Sequence, residues 1–352
     1  METFLVRARM HGVVPLLHAA GLPPGAPIEL HDACRAESIE RAMWELRHQQ
    51  VVTEALASLV SAGLNPVLIK GSALAYSVYP SPAMRGRADT DIVIPARQRD
   101  AAFAALEASG FRREFGVAGE FVSYQSNFNK DTGDRIGHTL DVHWKMNNSR
   151  VLAGLLSCEE ALDDSSDLPS LSPEARAASP VHSLLIAVFH RASHIHNPYY
   201  VDGVAHYGGD RLIWLYDIHL LAHALTPVQW QSFCALVDHR AMSAVCLAAL
   251  RAAQACLGTS IPADVASRLA SARQETLPAR YIAAGKLRQQ WMDFQALDNW
   301  ASRSRYLGEL LFPGPGYMRG RYPGQHRWLA WLYLRRAVTG AYKTLGLGRT
   351  SS

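Results

Sequence analysis

Three aspartates are the residues of this 352-residue sequence whose types and spacing best suit chemistry. Asp89 and Asp91 open the apolar run DTDIVI, and Asp141 lies in a second run, TLDVHW. Residues i and i+2 of a strand project from the same face, about 7 Å apart, so Asp89 and Asp91 are predicted to lie side by side. Neighbouring carboxylates repel each other unless a cation or water lies between them. The D-x-D pair alone also fits an exposed edge strand or turn with solvated aspartates.

A cluster of three carboxylates forms if the strand of Asp141 lies beside that of Asp89. Apolar residues alternate with Asp141 and His143 in LDVHW, so these two polar side chains share one face. Mg²⁺, or Mn²⁺, prefers hard oxygen ligands, and two such ions about 3.5–4 Å apart can hold both oxygens of a phosphoryl displacement. Asp89, Asp91 and Asp141 are therefore the predicted metal ligands and catalytic residues. Asp141 is also expected to help take a proton from the acceptor hydroxyl.

A candidate phosphate site precedes the aspartates. An apolar run ends at Lys70-Gly71-Ser72, and a short helical pattern follows. A strand that turns through glycine into a helix leaves backbone N–H groups free where the helix dipole favours an anion. Gly71 and Ser72 are predicted to approach phosphates through backbone and hydroxyl, while Lys70 and Arg85 balance their charge. By itself the K-G-S pattern is a weak signal, because many such turns bind nothing.

Four separated motifs now stand in an order typical of one family: Lys70-Gly71, Arg85, Asp89-x-Asp91 and Leu140-Asp141-x-His143-Trp144. The pattern resembles the uncharacterised nucleotidyltransferase family of the DNA polymerase beta-like superfamily over roughly residues 40–240. That superfamily carries Gly-Ser at a helix start, D-x-D on a strand and a third acidic residue on a neighbouring strand. The resemblance implies a small mixed α/β core and metal-dependent transfer of a nucleoside monophosphate.

The sequence departs from the pattern of this superfamily in two places. The gap from Ser72 to Asp89 is longer than in its minimal members. Thr90 is less apolar than the residue usually found between the two aspartates. Neither departure removes a predicted metal ligand.

Histidines on a later helix are further candidates. Pro180 begins an apolar helical pattern in which His190 and His194, four residues apart, share one face. No glutamate follows His190, so the metalloprotease signature is absent. Three interpretations of these histidines remain open: structural residues, residues lining the nucleotide or acceptor cleft, and a separate metal site. The resemblance favours the cleft, since the family places histidine here before a segment like RLIWLYD, whose Asp217 would order Arg211 or a histidine, or cap the helix.

Helical and strand periodicity divides the chain into four segments around these motifs. They are an N-terminal helical segment (1–62), a nucleotidyltransferase α/β core (63–150), a helical domain completing the cleft (173–300) and a basic C-terminal segment (301–352). The predicted fold class is α+β, with a small mixed-sheet nucleotidyltransferase core flanked by the N-terminal helices and a large C-terminal helical region.

Composition narrows the class of protein. Apolar residues make up 49% and charged residues 19%, which predicts a packed core and not disorder. The five cysteines show no C-x-x-C spacing, which argues against a disulfide framework or zinc ribbon and favours a reducing cytoplasm. We find no secretory signal, and no run approaches the roughly 18 apolar residues that span a bilayer. A soluble cytoplasmic protein without a transmembrane segment is expected.

Positive charge is concentrated at the C-terminal end. Residues 301–352 contain nine Lys or Arg residues and a single acidic residue, Glu309, whereas the rest of the chain is net acidic. This distribution predicts an anionic partner for the segment. Its tryptophans and arginines could hold an RNA backbone, lie on an acidic membrane surface, or pack a Trp/Leu face on the body with the arginines in solvent.

The principal hypothesis is a Mg²⁺-dependent nucleotidyltransferase that moves a nucleoside monophosphate from an NTP to a hydroxyl or phosphate. Its acceptor would be a small molecule, a modified peptide, a protein or an RNA. The predicted nucleotide-binding residues are Lys70, Gly71, Ser72, Arg85, His143, His190 and His194. The alternative is a catalytically inactive nucleotide-binding or antitoxin-like regulatory module, which has little need of three crowded carboxylates. A third option, a histidine-based metal hydrolase, requires His190, His194 and a carboxylate to converge away from Asp89.

Overall fold

A computed structural model describes residues 2–114, 121–133, 137–195, 199–201, 204–206, 209–322 and 328–344. The strands are β1 (Val67–Ile69), β2 (Asp89–Val93), β3 (Arg112–Arg113), β4 (Gln125–Asp131), β5 (Gly137–His143), β6 (Ser165–Asp167), β7 (Arg176–Ala178), β8 (Tyr199–Val201) and β9 (Val204–His206).

The helices before and within the sheet region are α1 (Glu2–His11), α2 (Val14–Ala20), α3 (Ile28–Ser61), α4 (Lys70–Ser77), α5 (Arg99–Ala108), α6 (Arg150–Ala153) and α7 (Cys158–Asp163). Those of the helical half are α8 (Pro180–His194), α9 (Leu212–Ala224), α10 (Pro227–His239), α11 (Ser243–Leu257), α12 (Ala263–Ser271), α13 (Leu277–Ala283), α14 (Lys286–Gln295), α15 (Trp300–Leu311), α16 (Pro315–Arg321) and α17 (Leu329–Thr344). None of these described helices is both long enough and apolar enough to cross a membrane.

Across the described residues, seven strands form one mixed sheet in the order β3-β4-β5-β2-β1-β7-β6. Strand β2 lies at its centre, parallel to β5 and antiparallel to β1. The predicted α+β class, a mixed-sheet core between N-terminal helices and a C-terminal helical region, is confirmed. The predicted boundaries of the four segments stay a prediction.

The alternation of side chains along β2 gives the sheet two different faces, which we call front and rear. On the rear face, Ile92 and its neighbours on β1 and β5 pack against α3 and α5. On the front face, Val93 and residues of β1 pack against α8 and α9. The side chains of Asp89 and Asp91 project from the same side of β2 as that of Val93. They therefore lie on the front face, which faces the helical half.

Candidate functional site

The carboxylates of two neighbouring strands meet on the front face. Asp91 of β2 lies directly opposite Asp141 of β5 in the parallel pair, and Asp89 lies opposite Thr139. Directly opposed residues of paired strands project to the same face, so Asp141 joins the two aspartates of β2. Asp89, Asp91 and Asp141 line one cavity, together with His143 from the end of β5.

Asp91 is the most strongly held of the three carboxylates. Lys70 Nζ lies 2.6 Å from its Oδ1, and His143 Nε2 lies 2.8 Å from the same oxygen. Burial alone would raise the pKa of Asp91, but the Lys70 ammonium and the hydrogen bond from His143 hold it well below its usual range. Burial and the Lys70 charge lower the pKa of His143, so a neutral imidazole donates to Asp91 through Nε2.

Asp141 is much less well satisfied than Asp91. Gln125 donates to its Oδ2 at 3.1 Å, but its buried Oδ1 has no hydrogen-bond partner among the described residues. Burial, with the charges of Asp91 and Asp89, raises the pKa of Asp141 to about 8. Burial and the charge of Asp91 raise the pKa of Asp89 to about 6. A nearby cation would relieve the electrostatic cost of this crowding.

A compact set of side chains in this group has the dimensions of a metal site. The potential ligand atoms of Asp91, Asp141 and His143 all lie within 4.8 Å of one another. In the described part of the chain, this is the one group of three or more such residues with that geometry. The two carboxylates supply the oxygen ligands that Mg²⁺ or Mn²⁺ prefers, and Asp141 Oδ1 has no hydrogen-bond partner among the described residues, while His143 donates to Asp91. Sequence reasoning predicted Asp89 as a third metal ligand and His143 as a nucleotide-binding residue, and both assignments stay predictions.

The turn from β1 into α4 shapes one side of the cavity. Lys70 has a φ of 54°, a left-handed conformation that is uncommon for a residue with a Cβ. Gly71 allows a close approach, because a Cβ there would lie 3.3 Å from Cδ of Arg87. The backbone of Lys70 is strained, so its surroundings must hold it in place. The contact of its ammonium with Asp91 is one of the interactions that do so.

Ser72 faces away from the cavity, into a buried polar network on the rear face. Its hydroxyl bonds the hydroxyl of Thr90 at 2.6 Å and accepts from Arg87 Nε at 2.8 Å. The Thr90 hydroxyl also lies 2.7 Å from His48 Nε2, and His48 Nδ1 lies 3.1 Å from Nδ1 of His138. Thr90 departs from the apolar residue usual at this position because it has these polar partners. The role predicted for the Ser72 hydroxyl at the phosphates stays a prediction.

Two further groups complete the rear network. Arg87 Nη2 donates to Glu45 Oε1 at 2.5 Å, and the Tyr76 hydroxyl donates to the same oxygen at 2.6 Å. Burial, followed by the charge of Arg87, lowers the pKa of His48 to about 2, so His48 is neutral. Sequence reasoning missed this network, because Glu45 and His48 lie on α3, far from β2 in the sequence.

Arg85 is held by the helical half of the protein. Its Nε and Nη2 donate to the two carboxylate oxygens of Asp217, each at 2.7 Å, and the Tyr79 hydroxyl donates to Asp217 Oδ1 at 2.6 Å. Asp217 was expected to order Arg211 or a histidine, or to cap its helix, and the structure instead pairs it with Arg85. Arg85 still lines the cavity, and this buried pair connects the turn before β2 to α9.

His190 and His194 line the same cavity as the aspartates. Their rings lie 4.7 Å apart, and both contact Trp214 of α9. Burial and then the charge of His194 lower the pKa of His190, and burial and then the charge of Lys70 lower that of His194. A histidine hydrolase requires His190 and His194 to meet a carboxylate away from Asp89. The described residues do not show this arrangement. His196 lies outside the described residues.

The far wall of the cavity comes from helices to which the sequence assigned no chemistry. Tyr281, Lys286, Gln290, Tyr306 and Leu310 of α13 to α15 line it, and the whole cavity has a volume of about 1040 Å³. Pockets for small molecules commonly measure ~300–1,000 Å³, so this cavity has room for two substrates. Helical periodicity gave no signal that would have singled these residues out.

Asp293 of α14 attaches this far wall to the core. Its Oδ1 accepts from the Ser149 hydroxyl and the Val151 N–H, each at 3.0 Å. Its Oδ2 accepts from the Tyr281 hydroxyl at 2.7 Å. These bonds fix α13 and α14 opposite the aspartates.

Comparison with known proteins places the chain in a family. Its residues 1–258 match the profile of the family described as uncharacterised nucleotidyltransferase, so the chain belongs to that family, as the resemblance predicted. No curated protein matches the chain. The matched residues include β1, β2, β5, α8 and α9, whereas α13 to α15 lie beyond them.

Proposed function

We propose that the protein is a divalent-metal-dependent nucleotidyltransferase that moves a nucleoside monophosphate from an NTP to a hydroxyl or phosphate of an acceptor and releases pyrophosphate. The observation that carries this proposal is the front-face cluster, in which Asp91 and Asp141 face each other beside Asp89 at a large cavity. Family membership supports nucleotidyl transfer as the general activity. The metal, the NTP donor and the kind of acceptor are our inference from the geometry.

The residues present fit Mg²⁺ or Mn²⁺. Asp91 and Asp141 would hold the ion, with Asp89 beside them and His143 fixing the carboxylate of Asp91. The buried and unpartnered Asp141 Oδ1 is the specific feature that a cation would satisfy. When bound, such an ion polarises the phosphoryl group and neutralises charge that develops in the transition state.

Side chains around the cluster suit a triphosphate. Lys70 contributes a cation beside Asp91, and the backbone N–H groups of Gly71 and Ser72 stand at the N-terminus of α4, which favours an anion. Arg85 has N–H groups left after it binds Asp217, and they can balance phosphate charge. His190 and His194, whose pKa values are lowered by burial, line the same cavity together with Trp214 and can contact sugar or base.

Asp141 is the residue best placed to hold the proton of an acceptor hydroxyl. Its carboxylate lines the cavity beside Asp91, where an acceptor hydroxyl could approach it; the raised pKa, about 8, describes the metal-free protein, because a bound cation would lower it. The acceptor would then enter between Asp141 and the far wall formed by α13 to α15. An inactive nucleotide-binding module fits less well, since it gains nothing from a buried, crowded carboxylate with an unsatisfied oxygen.

Calorimetric titration with ATP, GTP, CTP and UTP in Mg²⁺ tests the proposal. The parent is expected to bind one or more of them only with the metal, and Asp89→Ala/Asp91→Ala is expected to lose this binding. Asp100→Ala/Asp298→Ala, which removes two aspartates with side chains 85% and 82% exposed, is the matched control and should bind as the parent does. Absence of metal-dependent binding in the parent, or equal binding by the site variant, contradicts the proposal.

A further inference from the structure

The last described helix, α17, carries apolar side chains on its solvent face. Trp328, just before the helix, is 87% exposed, and Trp331, Leu334 and Val338 are 44%, 55% and 61% exposed. At 3.6 residues per turn these four side chains fall within one stripe, which we call the outer stripe, and Arg335 lies in it too. A contiguous exposed apolar stripe on a helix is costly in water and marks an interaction site.

The opposite face of α17 is the one that packs on the protein. Leu332 is 1% exposed, the Tyr333 hydroxyl donates to the carbonyl of Pro313 at 2.7 Å, and Arg336 Nη1 donates to the carbonyl of Leu310 at 2.8 Å. The Tyr333 ring also contacts Phe312, whose own side chain is exposed. Leu332, Tyr333 and Arg336 therefore anchor the helix on the protein. The interpretation in which a Trp/Leu face packs on the body describes Leu332, whereas Trp328 and Trp331 are exposed.

Exposed arginines accompany the outer stripe on α16 and α17. Arg319 and Arg321 are exposed on α16, and Arg335 lies over the ring of Tyr322, with its guanidinium carbon 5.1 Å from the ring centre. Glu309 is the single acidic residue of 301–352, and its carboxylate accepts from the N–H groups of Phe121 and Val122. Arg327 and Arg349 lie outside the described residues. The surface therefore presents apolar and positively charged groups together.

We propose that the outer stripe and the arginines around it dock the protein on an anionic lipid bilayer. Tryptophan is favoured at the level of the lipid headgroups, aliphatic side chains enter the acyl boundary, and arginine binds phosphate. An RNA strand would use the arginines and the tryptophans but would leave Leu334 and Val338 in water. A second copy of this chain would bring two strongly basic surfaces together, which like-charge repulsion opposes.

Helix α17, which carries the outer stripe, packs on the end of a helix that forms part of the cavity wall. Helix α15 turns Tyr306 and Leu310 towards the cavity and leaves Leu307 and Leu311 exposed on its other side. The end of α15 contacts α17 through Phe312 and Leu310. The proposed lipid surface and the proposed acceptor side of the cavity are thus parts of one helical unit. Lipid binding is measured independently of nucleotide binding, so either proposal can fail alone.

Co-sedimentation of the full chain with vesicles tests the inference. Binding is expected to vesicles that contain phosphatidylglycerol and not to vesicles of phosphatidylcholine alone, and it should weaken as salt is raised. Trp328→Ser/Trp331→Ser/Leu334→Ser is expected to lose more than about tenfold in binding, since it removes the apolar contacts. Arg319→Gln/Arg321→Gln should lose about 25-fold, at about fivefold for each cation near the surface.

A matched variant on α3 provides the control. Ile39, Met43 and Leu46 form another exposed apolar stripe, which lies among charges of both signs. Ile39→Ser/Met43→Ser/Leu46→Ser should therefore bind vesicles as the parent does, and thermal unfolding will verify that every variant is folded. Three results overturn the inference: no binding to anionic vesicles, equal loss in the α3 variant, or equal binding to both lipid compositions. RNA binding or dimer formation that the α17 variant abolishes, without vesicle binding, overturns it as well.

Discussion

The two faces of strand β2 differ in how completely their polar groups are satisfied. Behind the strand, the Thr90 hydroxyl bonds both His48 and Ser72, and a buried arginine–glutamate pair completes the network. In front of it, Asp89 and Asp91 share a cavity with Asp141, whose Oδ1 has no partner in the described part of the chain. Adjacent residues of one short strand thus serve two different purposes.

The rear network supports the fold, whereas the carboxylates in front form the candidate functional site. Satisfied buried polar groups favour a single arrangement of the chain, since losing any partner leaves another group desolvated and unpaired. Crowded carboxylates do the opposite, because they reduce stability until a ligand neutralises them. We therefore expect substitutions behind β2 to lower stability, and substitutions of Asp141 or Asp89 in front of it, whose pKa values are raised, to increase stability while they remove ligand binding.

The largest effect on folding is expected at the rear ion pair. Glu45→Ala leaves Arg87 buried without its carboxylate and removes the acceptor of the Tyr76 hydroxyl, so the free energy of unfolding should fall by about 3–5 kcal/mol. Chemical denaturation measures this change. Glu54→Ala, on the same helix but paired with Lys130 at the surface, should cost less than about 1 kcal/mol. Equal effects of the two substitutions would contradict the assignment of the rear network.

The next largest effect is expected at Thr90. Thr90→Val keeps the shape but deprives His48 and Ser72 of a partner, which should cost about 1–3 kcal/mol in unfolding free energy. Thr90→Ser retains the hydroxyl and should recover most of that loss. A valine variant as stable as the parent would show that the hydroxyl is not needed behind β2.

A gain in stability is expected when Asp141 on the front face is replaced. The pKa of Asp141 is raised to about 8 in the folded state. Between about pH 4 and pH 8 the folded state therefore keeps a proton on this group, whereas the unfolded state does not. Stability falls as pH rises through that window. Asp141→Asn removes this loss and should stabilise the metal-free protein by at least about 1–2 kcal/mol at about pH 8, and by less at about pH 6. Thermal melts at both pH values test it. Destabilisation at the higher pH would contradict the crowding argument.

The smallest effect concerns the pH dependence of metal affinity. A cation competes with protons on Asp141, with a pKa of about 8, and on Asp89, with a pKa of about 6. Mg²⁺ affinity should therefore rise with pH towards 8, by up to about tenfold per pH unit for each proton that binding releases. Calorimetry in two buffers of different ionisation enthalpy counts those protons. An affinity that does not change with pH would place the ion elsewhere.

The grouping of side chains on the front face could be predicted from short-range patterns. The period of two along a strand relates Asp89 to Asp91 and Asp141 to His143, and Gly71 lies in the first turn of α4. The α+β class follows from the same alternation and from helical periodicity. These features need only neighbouring residues, so the sequence is sufficient to predict them.

Partnerships across the fold could not be predicted in that way. Asp217 binds Arg85 from a position 132 residues away, and His48 reaches Thr90 from 42 residues away. Nothing in local spacing selects one buried carboxylate for one arginine. Likewise, the far wall of the cavity depends on how α13 to α15 pack, which Asp293 fixes through hydrogen bonds to the segment around Ser149.

A crystal structure with Mn²⁺ and a non-hydrolysable NTP analogue tests the central claim most directly. Our account predicts anomalous scattering from manganese between Asp91 and Asp141 on the front face, with the triphosphate beside Lys70 and Gly71. It also predicts that Thr90 and His48 keep their hydrogen bond behind the strand. Manganese or triphosphate bound away from these carboxylates, with the front face unchanged, would contradict the claim.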